Sequence, residues 1–432
     1  MEGWKRSKIG VVCNGFDTFE LKSVLTKNDA GDWGMEPDEN AVGVIRSTNF
    51  NNNGKLDLSD IAYRTLTPKK FSEKKLYASD ILIERSGGSE TQPVGRVGFI
   101  TDEMAKTDYA FANFIQRISL DDTVDAKFVY YCLQQMYEMG ITAGMQSQTT
   151  GIRNLDWKQY IKVSLPKPSL SEQTAIATLL SKVDEAIEAV QGSIAAAERL
   201  KKSLMQNLLT GKMKPDGTFR TPEEFYIDEK FGKVPHGWDV KRIDEITERK
   251  TDVIDPTKTK EVYDYIGLEH IVPDEFIRCG KGLSNETVAL KVKFEKGDLL
   301  YGKLRPYLNK VYISDISGVG STEFIILKQN EFLNWVYLNF QSQRFLDYTK
   351  SMTAGTQHPR ASWKDIKHYL VCIPQNEIER KKIEERIMSL EKYRFSQQKF
   401  VITHEYLKKS LMQNLLTGKI RVEHFTNNRQ YV

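Results

Sequence analysis

No stretch of about 18 consecutive apolar residues occurs in the chain, and a helix needs roughly that many to cross a bilayer. The opening, Met1–Phe16, likewise lacks the continuous apolar segment of a secretory leader, so a cytoplasmic protein without a membrane span is expected. Cysteine is scarce. Cys13, Cys132, Cys279 and Cys372 are the only four in 432 residues and form no CxxC pair, which points to reduced thiols and against a zinc site. The six histidines are isolated, with neither HxH nor HExxH. Neither sign of charge dominates: 62 Lys and Arg face 58 Asp and Glu, for a net +4. That balance argues for no partner, because nucleic-acid binding requires cations gathered on one face rather than a total.

Signatures of catalysis are missing too. There is no Asn/Asp-Pro-Pro-Tyr/Phe tetrapeptide of the kind that holds a flipped base. Gly211-Lys212 lacks the upstream glycine and the following hydroxyl of a phosphate-cradling GxxxxGK[ST] loop. Asp60 with Glu73-x-Lys75 has the flavour of a metal-dependent nuclease, but such triplets arise freely among so many charges. The expectation is a non-catalytic chain with no metal and no cofactor of its own.

What the sequence does contain is a repeat. Leu200–Lys212 reads LKKSLMQNLLTGK, and Leu407–Lys419 reads the same thirteen residues at an offset of 207. Fainter echoes surround it. Gly3-Trp4 answers Gly237-Trp238, Asp80–Ile83 answers Gly297–Leu300, and Arg153 with Trp157 answers Arg360 with Trp363. Leu165-Pro166 answers Ile373-Pro374, each followed by a long helical stretch. Each half therefore has a variable globular part, a Pro-marked exit and a helix. Short strands are predicted at Ala41–Arg46, Ile81–Glu84, Val94–Ile100, Val262–Leu268 and Ser321–Leu327. Helices are predicted at Ala126–Met139 and Glu331–Lys350, and a linker over Lys212–Lys233.

In the first long helix Ser171 is the candidate N-cap, and Gly211 the C-cap. Apolar residues between them, from Ile176 and Leu179 through Leu200, Leu204 and Leu208, recur in steps of three and four. The second stripe, Ile383, Ile387, Leu390, Val401, Leu407, Leu411 and Leu415, is interrupted by polar residues near Gln397 and His404. Thr174–Thr210 alone makes roughly 55 Å of helix, too long to bury its stripe on one small domain. The economical solution packs the two helices antiparallel in a pseudo-two-fold coiled-coil spacer, with one globular domain at each end. The fold class is α+β, with boundaries at 1–166, 167–213, 214–234, 235–374, 375–420 and a tail 421–432. Identical polar residues in both copies, among them Lys201, Lys202, Gln206 and Asn207, suggest one partner docking twice. Leu204, Gln206, Asn207 and Leu208, with Leu411, Gln413, Asn414 and Leu415, are the candidate partner-binding positions.

With its doubled LKKSLMQNLLTGK, its PKPSLSEQ stretch at Pro166–Gln173 and its GDLLYGKLRPYLNKV at Gly297–Val311, the chain resembles the specificity subunits of type I restriction-modification systems over nearly its whole length. The resemblance implies two target recognition domains, each mixed α/β and β-rich, reading the halves of a split site in double-stranded DNA. It also implies two helices that space them and bind two methyltransferase subunits, and through these the motor-nuclease subunits. S-adenosylmethionine, ATP and Mg2+ would then reside on those partner subunits. A different class, a coiled-coil scaffold with two β-rich protein-binding heads, is separable by testing salt-dependent DNA binding.

DNA reading needs Arg for guanine, Asn or Gln for adenine, and Lys for phosphates. In the first domain the loop Glu84–Arg96 offers Arg85, Ser86, Gln92 and Arg96 around a Gly87-Gly88 turn, and Gln146–Asn154 offers Gln148, Thr149, Arg153 and Asn154. In the second, Lys303, Arg305, Tyr307, Asn309 and Lys310 share one loop, and Thr356, Gln357, His358 and Arg360 another. The Asn-rich Ser47–Gly54 is a further, weaker candidate.

Overall fold

The computed structural model describes residues 5–13, 15–89, 91–149, 152–275, 277–353 and 359–422, without the side chains of Gln148 and Thr149. The chain divides into two compact units, Met1–Ala189 with Phe400–Val432, and Val190–Lys399. Each long helix therefore gives its two halves to different units.

In the first unit, short aliphatic runs bounded by turns form a four-stranded antiparallel sheet. Its order is Leu25–Ala30, Ile115–Leu120, Ile81–Glu84, Val97–Phe99. Helix Ala126–Glu138, capped by the Asp125 carboxylate, packs Phe128, Tyr131 and Leu133 into the core with Ile81 and Ile83. A second sheet pairs Val42–Ile45 parallel with Tyr109–Phe111. The globular part opens on Asp17–Glu20 and leaves on Ser164–Lys167, and these two strands pair antiparallel.

The second unit repeats this connectivity. Its four-stranded sheet runs Arg249–Lys250, Phe324–Leu327, Leu299–Gly302, Val311–Ile313, again first, fourth, second and third in chain order. Its parallel pair is Asp264–Ile266 with Gly318–Ser321, and its opening and exit strands are Trp238–Arg242 and Leu370–Pro374. The repeat thus persists where the sequences have diverged.

Leu170–Leu208 and Glu377–Leu415 are helices of 39 residues each. Ser169 caps the first, its hydroxyl accepting the Glu172 amide at 3.3 Å; the cap is not Ser171, since the first helical bond already runs from Gln173 back to the Ser169 carbonyl. Asn376, 207 residues later, caps the second through the Ile378 and Glu379 amides. Gly211 and Gly418 end the repeat with φ of +67° and +69°, the left-handed stop that glycine tolerates best. A Cβ there would sit 2.2 Å from Pro235 or 2.5 Å from Cys13, so each helix end is pressed against the opening of a globular part.

Within each unit the helix segments run antiparallel. In the first, Ile176 and Leu180 share a core with Met412 and Leu415, Asp184 pairs with Lys408 at 2.7 Å, and Glu172 pairs with Arg421 at 2.6 Å. In the second, Leu204 and Leu208 share a core with Ile383 and Ile387, Lys201 pairs with Glu391, and Arg220 with Glu379. The gap in the second stripe is only apparent. Steps of three and four run Ile387, Glu391, Arg394, Gln398, Val401, and Arg394 joins Glu391 at 3.0 Å and Glu275 at 2.5 Å. Charged residues occupy the seam there because each is paired.

Other expectations shift locally. The predicted helix Glu331–Lys350 is two helices, Leu333–Phe340 and Gln343–Met352, because Ser342 turns extended and caps the second. Strand Val94–Ile100 shrinks to Val97–Phe99, as Gly95 at φ +105° stops it. Ser321–Leu327 is split between two strands, Gly318–Ser321 and Phe324–Leu327. The predicted linker Lys212–Lys233 runs into a hairpin, Phe225–Asp228 with Gly232–Pro235, that extends past its end. Leu200 and Leu407, placed in the stripe by spacing, are 50% and 44% exposed. Among the described residues no helix is long and apolar enough to cross a membrane.

Candidate nucleic-acid interface

Strand Ile81–Glu84 is buried along its length and delivers Arg85 to its end at a fixed place. The Arg85 amide donates to the Phe114 carbonyl, and its own carbonyl accepts from Leu155, both at 2.8 Å. Ser86–Gly88 then forms a small sheet with Ile152–Leu155 and Gln146–Thr149. The two candidate patches of the first domain, far apart in sequence, are one surface. Gly87, at φ +109°, supplies a backbone that other residues resist. Ser86 donates to the Asn154 side chain at 2.5 Å, and Arg153 sits opposite Gly88 in the sheet register. Gln92 reaches the Asn52 side chain at 3.0 Å, which draws the Asn-rich stretch to the same loop.

Arg96 does not belong to that surface. Its guanidinium donates to the Glu84 carboxylate at 2.8 and 2.7 Å and to the Phe50 and Ser47 carbonyls, and it is 8% exposed. Burying Glu84 at the strand end calls for a full counter-fork, so Arg96 is used up inside.

In the second unit Lys303 takes the place of Arg85. Its amide donates to the Glu323 carbonyl at 2.8 Å and its carbonyl accepts from Ala361 at 2.9 Å. A bridge between Leu304 and Arg360 joins its loop to the exit patch, with the Arg305 amide on the Pro359 carbonyl at 2.8 Å. Arg305 is exposed in a left-handed conformation, φ +51°, and Tyr307 is also exposed. Burial holds the Lys303 ammonium below the usual lysine range; Glu323 opposes this, while Arg249 and Arg360 reinforce it. Arg360 pairs with Glu323 at 3.1 Å. Lys303 thus feels two further cations, Arg249 and Arg360, against one carboxylate, an excess of positive charge that suits a phosphate.

Asn309 and Lys310 are spent on the fold. Asn309 is buried and donates to Asp274 at 3.2 Å and Gln341 at 3.1 Å, and Lys310 donates to the Leu268 carbonyl at 2.6 Å. Thr356, Gln357 and His358 lie outside the described residues, and for Gln148 and Thr149 only the strand backbone is described. Sequence reading missed Arg249 and Gln116. Arg249 lies in a two-residue strand opposite Leu327, and Gln116 in a buried strand, so neither had a loop or motif to mark it. Among the described residues no group of three His, Cys, Asp or Glu could hold a metal ion.

Residues 1–199 match the family described as Type I restriction modification DNA specificity domain. The chain is 22% identical over 376 residues to the Type I restriction enzyme MjaVIII specificity subunit of Methanocaldococcus jannaschii, covering 82% of each. It is 20% identical to the putative MjaX specificity subunit of the same organism, covering 98% of this chain and 97% of that one. The first 199 residues are thus similar to that specificity domain, and the likeness to the two specificity subunits runs over most of the chain. Its fold is similar to the crystal structure of the type I restriction-modification S subunit from M. genitalium, with a TM-score of 0.58 at 15% identity over 93% of this chain and 96% of that one.

The repeated helix ends carry the candidate partner-binding positions. Leu204, Leu208 and Leu415 are buried in the chain's own cores and present no face to a partner, and Leu411 is half-buried. Asn207 and Asn414 donate back to the Ser203 and Ser410 carbonyls, each at 2.9 Å. Gln206 and Gln413 are exposed, as are Lys202, Ser203 and Lys212 and their copies Lys409, Ser410 and Lys419.

Proposed function

We propose that the chain reads a bipartite, asymmetric site in double-stranded DNA, one half with each globular part. Carrying this reading is a shared construction: the end of a buried central strand, cationic in both units, is joined by backbone bonds to the exit patch. The side chains differ, Arg85, Ser86, Arg153 and Asn154 against Lys303, Arg305, Tyr307 and Arg360, so the two half-sites differ in sequence. The long helices set the interval between them. The exposed polar residues repeated around Gln206 and Gln413 receive two methyltransferase subunits, and through them the motor-nuclease subunits of the complex. S-adenosylmethionine belongs to the methyltransferases, and ATP and Mg2+ to the motor-nuclease; this chain supplies recognition and no catalytic group.

Methylome sequencing of a host that carries the chain with its methyltransferase tests the reading. A split motif with an unspecified gap, modified at adenine, is the expected outcome. No modified motif, together with no salt-dependent binding of the purified chain to mixed duplexes, would remove it in favour of a protein-binding scaffold.

A further inference from the structure

Arg85 is held in place by a network of side-chain contacts beneath it. Its Nη1 donates to the Gln116 side-chain carbonyl at 3.0 Å, and its guanidinium carbon lies 5.9 Å from the centre of the Trp157 ring. Gln116 is 4% exposed and donates its amide to the Asn28 Oδ1 at 2.6 Å. The same Oδ1 accepts the Trp157 indole N–H at 3.0 Å, and Trp157 stacks on buried Tyr160 with ring centres 5.4 Å apart. Gln116, Asn28 and Trp157 thus close a ring of polar contacts beneath one guanidinium. The amide orientation is dictated by the ring: with Asn28 Oδ1 taking two donors, Gln116 must turn its NH2 to Asn28 and its oxygen to Arg85. Among the described residues Arg85 makes no other side-chain hydrogen bond, so Nε and Nη2 remain as a fork.

A guanidinium oriented in advance loses little entropy on binding and presents two parallel donors, the pattern that matches O6 and N7 of guanine in the major groove. Lys303, the corresponding strand-end residue of the second unit, is a point charge among Arg249 and Arg360, which suits a phosphate. Resting on the DNA-reading role proposed above, we infer that Arg85 reads a guanine in the half-site of the first domain, and that Gln116 and Asn28 are positioning residues for that single base.

The test uses the full-length chain with its methyltransferase, measuring the methylated motif and binding to duplexes varied one position at a time. Arg85→Ala should lower discrimination at one G·C pair by about 5- to 100-fold and leave the other half-site unchanged. Gln116→Leu should relax the same pair by about 3- to 10-fold. Because Gln116 is in the core, Asn28→Ala, at an exposed residue, is the second variant and should relax that pair too. Relaxation at different positions, or Gln116 and Asn28 variants with unaltered specificity, overturns the positioning role while the split motif stands. Uniform weakening by Arg85→Ala, with a shallower salt dependence, reassigns Arg85 to the backbone and overturns the guanine assignment. Loss of any motif in the unmutated chain marks failure of the DNA-reading role itself.

Discussion

Position, more than residue type, separates the arginines and lysines of the two surfaces. Arg96 and Arg85 lie eleven residues apart in one stretch that sequence alone treats as a loop, yet Arg96 is a buried counter-ion and Arg85 half-exposed. Removing the buried partner leaves Glu84 uncompensated at 1% exposure, so Arg96→Ala should destabilise the first unit by about 3–5 kcal/mol, measured by denaturant unfolding. A stability loss below about 1 kcal/mol would mean the pair is not buried in solution. Lys303→Ala should instead leave folding intact and weaken binding equally for every sequence. The slope of log K against log salt should then fall by about one unit, and a change confined to one base pair would contradict the phosphate assignment.

At the scale of elements, the seam between the helices is built from matched pairs. Lys201 with Glu391 and Lys408 with Asp184 are the same interaction twice, both partners offset by 207 residues. Near the start of the second helix, burial pushes Glu384 up to about 7, with Arg380 partly opposing it. The folded chain therefore holds a proton there that the unfolded chain has released above its usual range near 4.5. Protons are then bound more by the folded state, so stability falls as pH rises from about 4.5 to 7. Glu384→Gln should flatten that part of the profile, read as the thermal midpoint against pH. An unchanged slope would place the charge elsewhere.

For the whole molecule, the proposed spacing role makes a length prediction. Seven residues added to each long helix, in register, extend it by roughly 10 Å, or about three base pairs. Methylome sequencing should show both half-sites kept and the unspecified gap lengthened; an unchanged gap would refute the helices as a ruler. The strand order first, fourth, second, third in both units also explains how two unlike sequences present surfaces at matching places. Core positions need only be apolar and of fitting size, so they can drift while connectivity persists.

The sequence by itself determined the doubling, the glycine stops of the long helices and the exit prolines. Thirteen repeated residues and left-handed glycines act locally, and local rules are readable along a chain, although the side chain that caps the first helix proved to be Ser169 rather than Ser171. Ile81–Glu84 and Ala126–Glu138 were legible for the same reason, since unbroken apolar runs and periodicity announce them. Tertiary structure alone decided which polar groups face out. Arg96, Asn309 and Lys310 look like surface heads until the carbonyls and carboxylates that absorb them arrive from 12 to 49 residues away. It likewise moved Leu204, Leu208 and Leu415 from a supposed docking face into the core, because packing partners are chosen across the fold rather than along the helix.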